Sequence, residues 1–133
     1  MSSLPLRYVN ALTVDPNNAA HVYAIFGGFS RHWVPNAGVG HVFETTDGGD
    51  KWTDISGNLP DAPGDDLLIV NQTLVLATDV GVFTASTTAP TAWSRYGSGL
   101  PNSAVYDLSL GQANGGYIIA ATHGRGLWKI ALP

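Results

Sequence analysis

Residues 45–52 of the chain read Thr45-Thr46-Asp47-Gly48-Gly49-Asp50-Lys51-Trp52, and this stretch restricts the fold more narrowly than any other. A short acidic side chain followed by two glycines is typical of a tight turn, because Asp accepts backbone N–H hydrogen bonds and glycine adopts positive φ without strain. Apolar segments lie on both sides of the turn, and Trp52 is suited to pack its ring on a sheet. The stretch therefore predicts a β-hairpin.

The rest of the chain divides into similar short segments, which are rich in Val, Ile, Leu, Thr and aromatic residues and separated by Gly, Pro, Asn or Asp. We interpret each segment as a strand. No window has the periodicity of an amphipathic helix, and residues 84–91 are interpreted as a turn. The predicted strands are residues 10–14, 21–26, 40–45, 52–55, 66–70, 74–78, 81–85, 93–96, 107–110, 117–122 and 126–131.

The segments recur in a fixed register. Leu59-Pro60 is followed by Asp66, and Leu100-Pro101 is followed by Asp107 at the same spacing, so that the two patterns lie 41 residues apart. Four short strands in a unit of this length are typical of a β-propeller blade. A plain β-sandwich also uses short strands, but it gives no reason for this register.

The first unit is longer than the other two. It begins at Leu4-Pro5, and we assign Asn10 to the slot of Asp66, which places an insertion at residues 27–39. The sequence thus predicts an all-β protein, a β-propeller fragment of about three four-stranded antiparallel blades whose third blade lacks its outer strand. The predicted blades are residues 1–60, 61–101 and 102–133.

Composition excludes several classes of protein. Hydrophobic residues make up 44% and charged residues 12% of the chain, which is not the composition of a disordered protein. A net charge of −4 argues against nucleic-acid binding, and no apolar run approaches the length of a membrane span. The chain has no cysteine, its four histidines lack ligand spacing, and no signal peptide is recognisable, so we predict no metal, no cofactor and no particular compartment.

Residues 45–52 resemble the Asp-box, Ser/Thr-x-Asp-x-Gly-x-x-Trp, of sialidase-type propellers (BNR repeats). Further similarity lies in residues 40–59, 77–83 and 121–128. The chain looks like the C-terminal part of propellers of the sialidase-like, family 74 glycoside hydrolase-like and photosystem II assembly factor-like kinds, which are often secreted. By this resemblance the turn is structural, through Thr45, Asp47, Gly48, Gly49 and Trp52.

The resemblance transfers no catalytic residue. Sialidases use three convergent arginines and a Tyr–Glu pair, but none of the four arginines here lies in that motif and the single glutamate, Glu44, adjoins the Asp-box. Family 74 hydrolases use two aspartates across a cleft. Asp66 and Asp107 occupy equivalent repeat positions instead, which indicates a repeated structural role. We therefore expect no enzymatic activity from this chain.

Strand parity places the insertion at the end of the blades opposite the Asp-box. The aromatic rings of Phe29 and Trp33 could stack on a sugar, with Arg31 and His32 as hydrogen-bonding groups; alternatively, the loop covers the blades or a neighbouring chain. Asp79, His123 and Arg125 are candidates on the same side. His123 and Arg125 could contact a ligand, or His123 could bind backbone while Arg125 pairs with Asp79 or Asp107.

Three blades leave two apolar flanks uncovered, whereas propellers close with about four to eight blades. We expect the chain to associate with itself, as a six-bladed homodimer, or with the rest of a larger propeller. The unfinished third blade also has an edge at residues 126–131 that another strand could extend. The function predicted first is a non-catalytic scaffold or interaction module, and the alternative is a carbohydrate-binding or glycoside-hydrolase-related fragment.

Overall fold

The computed structural model of the protein describes residues 4–30, 40–112 and 115–133. Eleven β-strands lie within these ranges. They are β1 (Val9–Asp15), β2 (Asn18–Phe26), β3 (Val42–Thr45), β4 (Thr53–Asp54), β5 (Gly64–Val70), β6 (Thr73–Thr78), β7 (Gly81–Ser86), β8 (Ala89–Tyr96), β9 (Val105–Gly111), β10 (Tyr117–Thr122) and β11 (Gly126–Ile130).

The strands form three antiparallel sheets in which sequence neighbours pair. Their orders are β1-β2-β3-β4, β5-β6-β7-β8 and β9-β10-β11, here called blade 1, blade 2 and blade 3. The predicted fold class, an all-β propeller fragment whose third blade lacks its outer strand, is confirmed. No helix in the described part of the chain is long and apolar enough to span a membrane.

Each innermost strand begins with a β-bulge, and the bulges show how the blades correspond. In blade 2 the pairing skips Asp65, between Gly64 and Asp66. The skipped residue is Asn10 in blade 1 and Tyr106 in blade 3. A bulge adds one residue that has no partner on the neighbouring strand. The three bulged residues are therefore equivalent.

The assignment of Asn10 to the slot of Asp66 is wrong by one residue. That slot holds Ala11 in blade 1 and Asp107 in blade 3, because each directly follows the bulge. Spacing in the sequence could not reveal the error, since a bulged residue interrupts no pattern of residue types. The residues that come next, and are equivalent in the three blades, are Leu12, Leu67 and Leu108.

A Leu-Pro turn precedes every blade, as the repeated dipeptide indicates. In each turn the N–H two residues after the proline donates to the proline carbonyl at 2.9 Å, in the pairs Arg7–Pro5, Ala62–Pro60 and Ser103–Pro101. The leucines point into apolar clusters: Leu59 lies between blades 1 and 2, and Leu100 between blades 2 and 3. Leu4 packs instead on the face of blade 1 that is turned away from blade 2.

The two larger apolar clusters of the core fill the junctions between neighbouring blades, and a smaller one lies on the outer face of blade 1. Between blades 1 and 2, Tyr23, Ile25 and Val42 pack with the blade 2 residues Leu67 and Leu76. Between blades 2 and 3, the blade 2 residues Val75, Ala77 and Val82 pack with the blade 3 residues Leu108 and Ala120. Side chains alternate along each strand, so blade 2 is covered on both faces.

Residues 84–91, interpreted from the sequence as a turn, are mostly strand. β7 and β8 pair across this stretch, with Ser86 opposite Ala89 and only Thr87 and Thr88 between them. The small polar residues suggested a loop, but a two-residue hairpin needs no more chain than this. Pro90 is tolerated because β8 is an edge strand of its sheet.

We expect Leu67→Ala to lower the free energy of unfolding by about 2–5 kcal/mol, because this side chain is 1% exposed in the core. Its equivalent Leu12 is 65% exposed, and Leu12→Ala should change the stability of the dilute monomer by no more than about 0.5 kcal/mol. Urea titrations at sub-micromolar protein would measure both. Equal effects of the two substitutions would contradict the difference in burial between these two equivalent residues.

Candidate functional site

The hairpin at residues 45–52 is held by its own side chains. Thr45 Oγ donates to Asp47 Oδ1 at 2.8 Å and accepts the Gly49 N–H at 3.0 Å. Asp47 Oδ1 also accepts the Lys51 N–H at 3.0 Å, and this bond together with the Thr45 hydroxyl lowers the pKa of Asp47. Gly48 and Gly49 have φ of 76° and 104°.

Trp52 closes the same turn. Its indole N–H donates to the Gly49 carbonyl at 3.1 Å, and its ring packs with Leu4, Phe26 and Phe43 on the face of blade 1 turned away from blade 2. Arg7 lies over the Phe26 ring, 5.9 Å from its centroid. The first residues of the described chain are thus fastened to blade 1.

The candidates for ligand binding are only partly described. Phe29 is 49% exposed, whereas Arg31, His32 and Trp33 lie outside the described residues. Asp79 and His123 occupy the same place in blades 2 and 3, since their N–H groups donate to Pro63 and Ala104 in equivalent bonds. Phe29, Asp79 and His123 lie at the end of the blades opposite the turn at residues 45–52, because strands alternate in direction.

Within residues 4–30, 40–112 and 115–133 these candidates do not form one constellation. The His123 ring stacks edge-on against Tyr106, with centroids 5.4 Å apart. The His123 backbone N–H, and not the ring, makes the hydrogen bond to Ala104. In the same ranges no ion pair joins Arg125 to Asp79 or Asp107; its exposed turn is held through its carbonyl, which accepts the Trp128 indole N–H at 2.9 Å.

A buried polar network at the base of the insertion was not predicted. Asp61 Oδ1 accepts the Ser30 N–H and Oγ–H, each at 2.9 Å, and lies 2.8 Å from Nε2 of His41, which is 1% exposed. Burial lowers the pKa of His41, against the opposing effect of Asp61, so the ring is neutral and Nε2–H donates. Ser56 Oγ accepts the His41 N–H at 2.8 Å. The network ties both ends of the insertion to the Leu-Pro turn of blade 2.

The innermost strands β1, β5 and β9 are joined by side chains that bind backbone of the next blade. Thr13 Oγ on β1 donates to the Leu67 carbonyl on β5 at 2.8 Å. Asp66 on β5 accepts the Leu67 N–H with one oxygen and the Leu108 N–H on β9 with the other, each at 2.8 Å. The sequence predicted a structural role for Asp66, and the structure gives it this bridge.

The two terminal faces of the array carry exposed apolar side chains. On the face of blade 1 turned away from blade 2, which we call the blade 1 flank, Leu12 is 65% and Val14 is 51% exposed. On the face of blade 3 turned away from blade 2, the blade 3 flank, Leu127 is 74% exposed. The equivalents of Leu127 in blades 1 and 2, Val42 and Val82, are fully buried.

Asp65 is a half-buried acid at the bulge of β5. Burial and the neighbouring charges of Asp79 and Asp66 raise its pKa to about 7, against a hydrogen bond from Asn10. Its Oδ2 is buried and has no hydrogen-bond partner among the described residues. Over the same ranges no group of three His, Asp or Glu residues is arranged to hold a metal ion.

Comparisons with known proteins support the fold alone. No family model matches the chain, and no curated protein matches it. Among solved structures, the chain is similar to the crystal structure of an ancestral GH74 enzyme, with a TM-score of 0.54 and 19% sequence identity. The similarity covers 93% of this chain and 20% of that one, so the chain spans about a fifth of the enzyme's length. The neighbour indicates a propeller-like class of fold.

Asp66→Ala should lower the free energy of unfolding by about 1–3 kcal/mol, because it removes the acceptor of two backbone N–H groups in neighbouring blades. Asp107→Ala is the matched control: Asp107 holds the same slot but is exposed and reaches no further blade within the described chain, so the dilute monomer should be unaffected. Denaturant titration measures both. A neutral Asp66→Ala would remove the proposed bridge.

The contribution of Asp65 to stability should fall as the pH rises from about 4 to about 7. The pKa of Asp65 is about 7 in the folded chain and near 3.9 when unfolded, so the folded state binds more protons in this window. Asp65→Asn should remove this contribution, while Asp50→Asn, which changes an exposed acid in the turn at residues 45–52, should not. Thermal melts at several pH values test this, and identical slopes for wild type and Asp65→Asn would contradict it.

Proposed function

We propose that the chain is a non-catalytic scaffold of the Asp-box propeller type, and that two copies assemble into a six-bladed homodimer. One observation carries the proposal: Leu12 and Leu127 are exposed on the two flanks, while the residues in the same places at the internal junctions are buried. A sheet with apolar residues on both faces is stable only when both faces are covered. The blade 1 and blade 3 flanks together have the composition of one more junction.

The Asp-box assignment is supported by the hydrogen bonds of Thr45 and Asp47 and by the Trp52 ring on the sheet. The propeller-like GH74 neighbour is consistent with it. In blade 2 the equivalent hairpin retains Trp93, whose indole N–H donates to the Ile55 carbonyl at 2.8 Å, but has only Thr87 and Thr88 as its turn. We therefore assign the motif a structural role, in which its hydrogen bonds hold the hairpin that leads into the outer strand.

We assign no catalysis to the chain, because three of its half-buried carboxylates are engaged in structural contacts. Glu44 lies 2.6 Å from His21, Asp61 binds Ser30 and His41, and Asp66 bridges two blades. Glycoside hydrolysis needs two carboxyl groups that face each other across a substrate cleft. These three acids serve separate networks instead.

Light scattering coupled to size exclusion tests the assembly. We expect a mass near 28 kDa at tens of micromolar, twice the 14.0 kDa of the chain, and dissociation on dilution. Leu127→Asp should shift the equilibrium to monomer, because it places a charge in the proposed junction, while Lys51→Asp in the Asp-box turn should not. A folded monomer at every concentration would reject the homodimer.

Carbohydrate binding is the second candidate, favoured by the exposed Phe29 at the base of the insertion. A glycan array would test it with wild type, Trp33→Ala and the aromatic control Trp33→Phe. Saturable binding that is lost in Trp33→Ala and kept in Trp33→Phe would support a sugar site on the insertion. Absence of binding by the dimeric wild type would leave the scaffold function.

A further inference from the structure

The internal junctions use two kinds of hydrogen bond to the backbone of one leucine. At the first junction the Thr13 hydroxyl on β1 donates to the carbonyl of Leu67. At the second junction Asp66 on β5 accepts the N–H of Leu108. Leu67 and Leu108 occupy the same place in their blades, directly after the slot that follows the bulge. Each junction therefore holds the same residue of the incoming blade, once by its C=O and once by its N–H.

Blade 3 carries both kinds of hydrogen-bonding group on the blade 3 flank. Asp107 has the slot of Asp66, and Ser109 has the slot of Thr13, so an acidic acceptor and a hydroxyl donor stand together on β9. Both residues are exposed, and the Ser109 Oγ lies 3.4 Å from the Asp107 Oδ2. β9 is equipped to hold a further innermost strand.

The apolar residues repeat in the same manner. The first junction packs Leu67 against Val42 and Tyr23, and the second packs Leu108 against Val82 and Val75. The residues of blade 3 equivalent to Val82 and Val75 are Leu127 and Ile119, and the residue equivalent to Leu108 in blade 1 is Leu12. A third junction of the same type would bring Leu12 against Leu127 and Ile119.

We propose that the blade 3 flank of one copy binds the blade 1 flank of a second copy in this register, with both bonds on Leu12. The Asp107 carboxylate accepts the N–H of Leu12 in the other copy, and the Ser109 hydroxyl donates to its carbonyl. This inference rests on the proposed function and adds the residues and the register of the contact.

A second copy is the occupant that the chain itself argues for. Both flanks are present on one molecule, and their groups are complementary. The blade 1 flank offers the backbone N–H and C=O of Leu12, and the blade 3 flank offers the acceptor Asp107 and the donor Ser109. Two copies related by a two-fold axis make the junction twice and leave no flank open. In blade 1 the slot of Asp107 holds Ala11, which packs towards blade 2, so the first internal junction has the hydroxyl donor Thr13 but no acidic acceptor in that slot.

Sedimentation equilibrium of the full chain would measure the effect on the dimer. Asp107→Ala should raise the dimer dissociation constant at least about tenfold, since a charged hydrogen bond is lost at two junctions, and Ser109→Ala should raise it by a smaller factor. Asp107→Asn keeps an acceptor oxygen and should recover most of the affinity. Asp50→Ala makes the same change of charge in the Asp-box turn and should have no effect.

Cross-linking tests the register. The chain has no cysteine, so Leu12→Cys with Ser109→Cys places one cysteine on each flank, and a short bis-maleimide should produce covalent dimers. Leu12→Cys with Ser94→Cys, on the outer strand β8, is the control and should remain uncoupled. Covalent products of more than two copies would support the contact between the two flanks but would contradict the closed dimer.

The possible failures are distinguishable. A wild type that stays monomeric at every concentration overturns both the homodimer and this inference. A dimeric wild type in which Asp107→Ala and Ser109→Ala behave like Asp50→Ala, and in which the first cysteine pair does not couple, overturns the inference alone. In that case the copies meet through another surface, such as the open edge of β11.

Discussion

The structure depends on one constraint: every sheet has apolar side chains on both faces, and each face must be covered by a neighbouring sheet. Blade 2 satisfies it within the chain, because Leu67 and Leu76 pack towards blade 1 while Val75 and Val82 pack towards blade 3. Blades 1 and 3 satisfy it on one side only. Leu4 and Trp52 cover part of the blade 1 flank, but Leu12 remains exposed beside them. The function that we propose follows from the uncovered remainder.

Hydrogen bonds between the innermost strands give this packing its register. Hydrophobic contacts are tolerant of small shifts, whereas a side chain that reaches one backbone N–H or C=O is not. Asp66 and Thr13 each bind the backbone of one leucine in the neighbouring blade, and a β-bulge precedes each of them on its own strand. The blades are equivalent because these hydrogen bonds recur at the same position, even though the residue types that make them differ.

Much of this arrangement could be predicted from sequence. All eleven strands, the blade order and the missing outer strand follow from short β-rich segments, turn residues and the 41-residue register. The equivalence of blade 1 was misplaced by one residue, because the bulge at Asn10 leaves no compositional signal. The contact of Asp61 with His41 and Ser30 joins residues 20 and 31 positions away, and no local pattern encodes it. The raised pKa of Asp65 depends mainly on the burial of its side chain, and the sequence does not show that Asp65 is more buried than its neighbour Asp66.

The most direct test of the account is the hydrogen-exchange rate of the Leu12 amide measured by NMR over a range of protein concentrations. Leu108, whose N–H is bound by Asp66, provides the internal reference, with slow exchange at all concentrations. If the two flanks join in the register of the internal junctions, Leu12 exchanges rapidly in the dilute protein and becomes protected as copies associate. Rapid exchange of Leu12 at a concentration where the chain is fully associated would contradict the account.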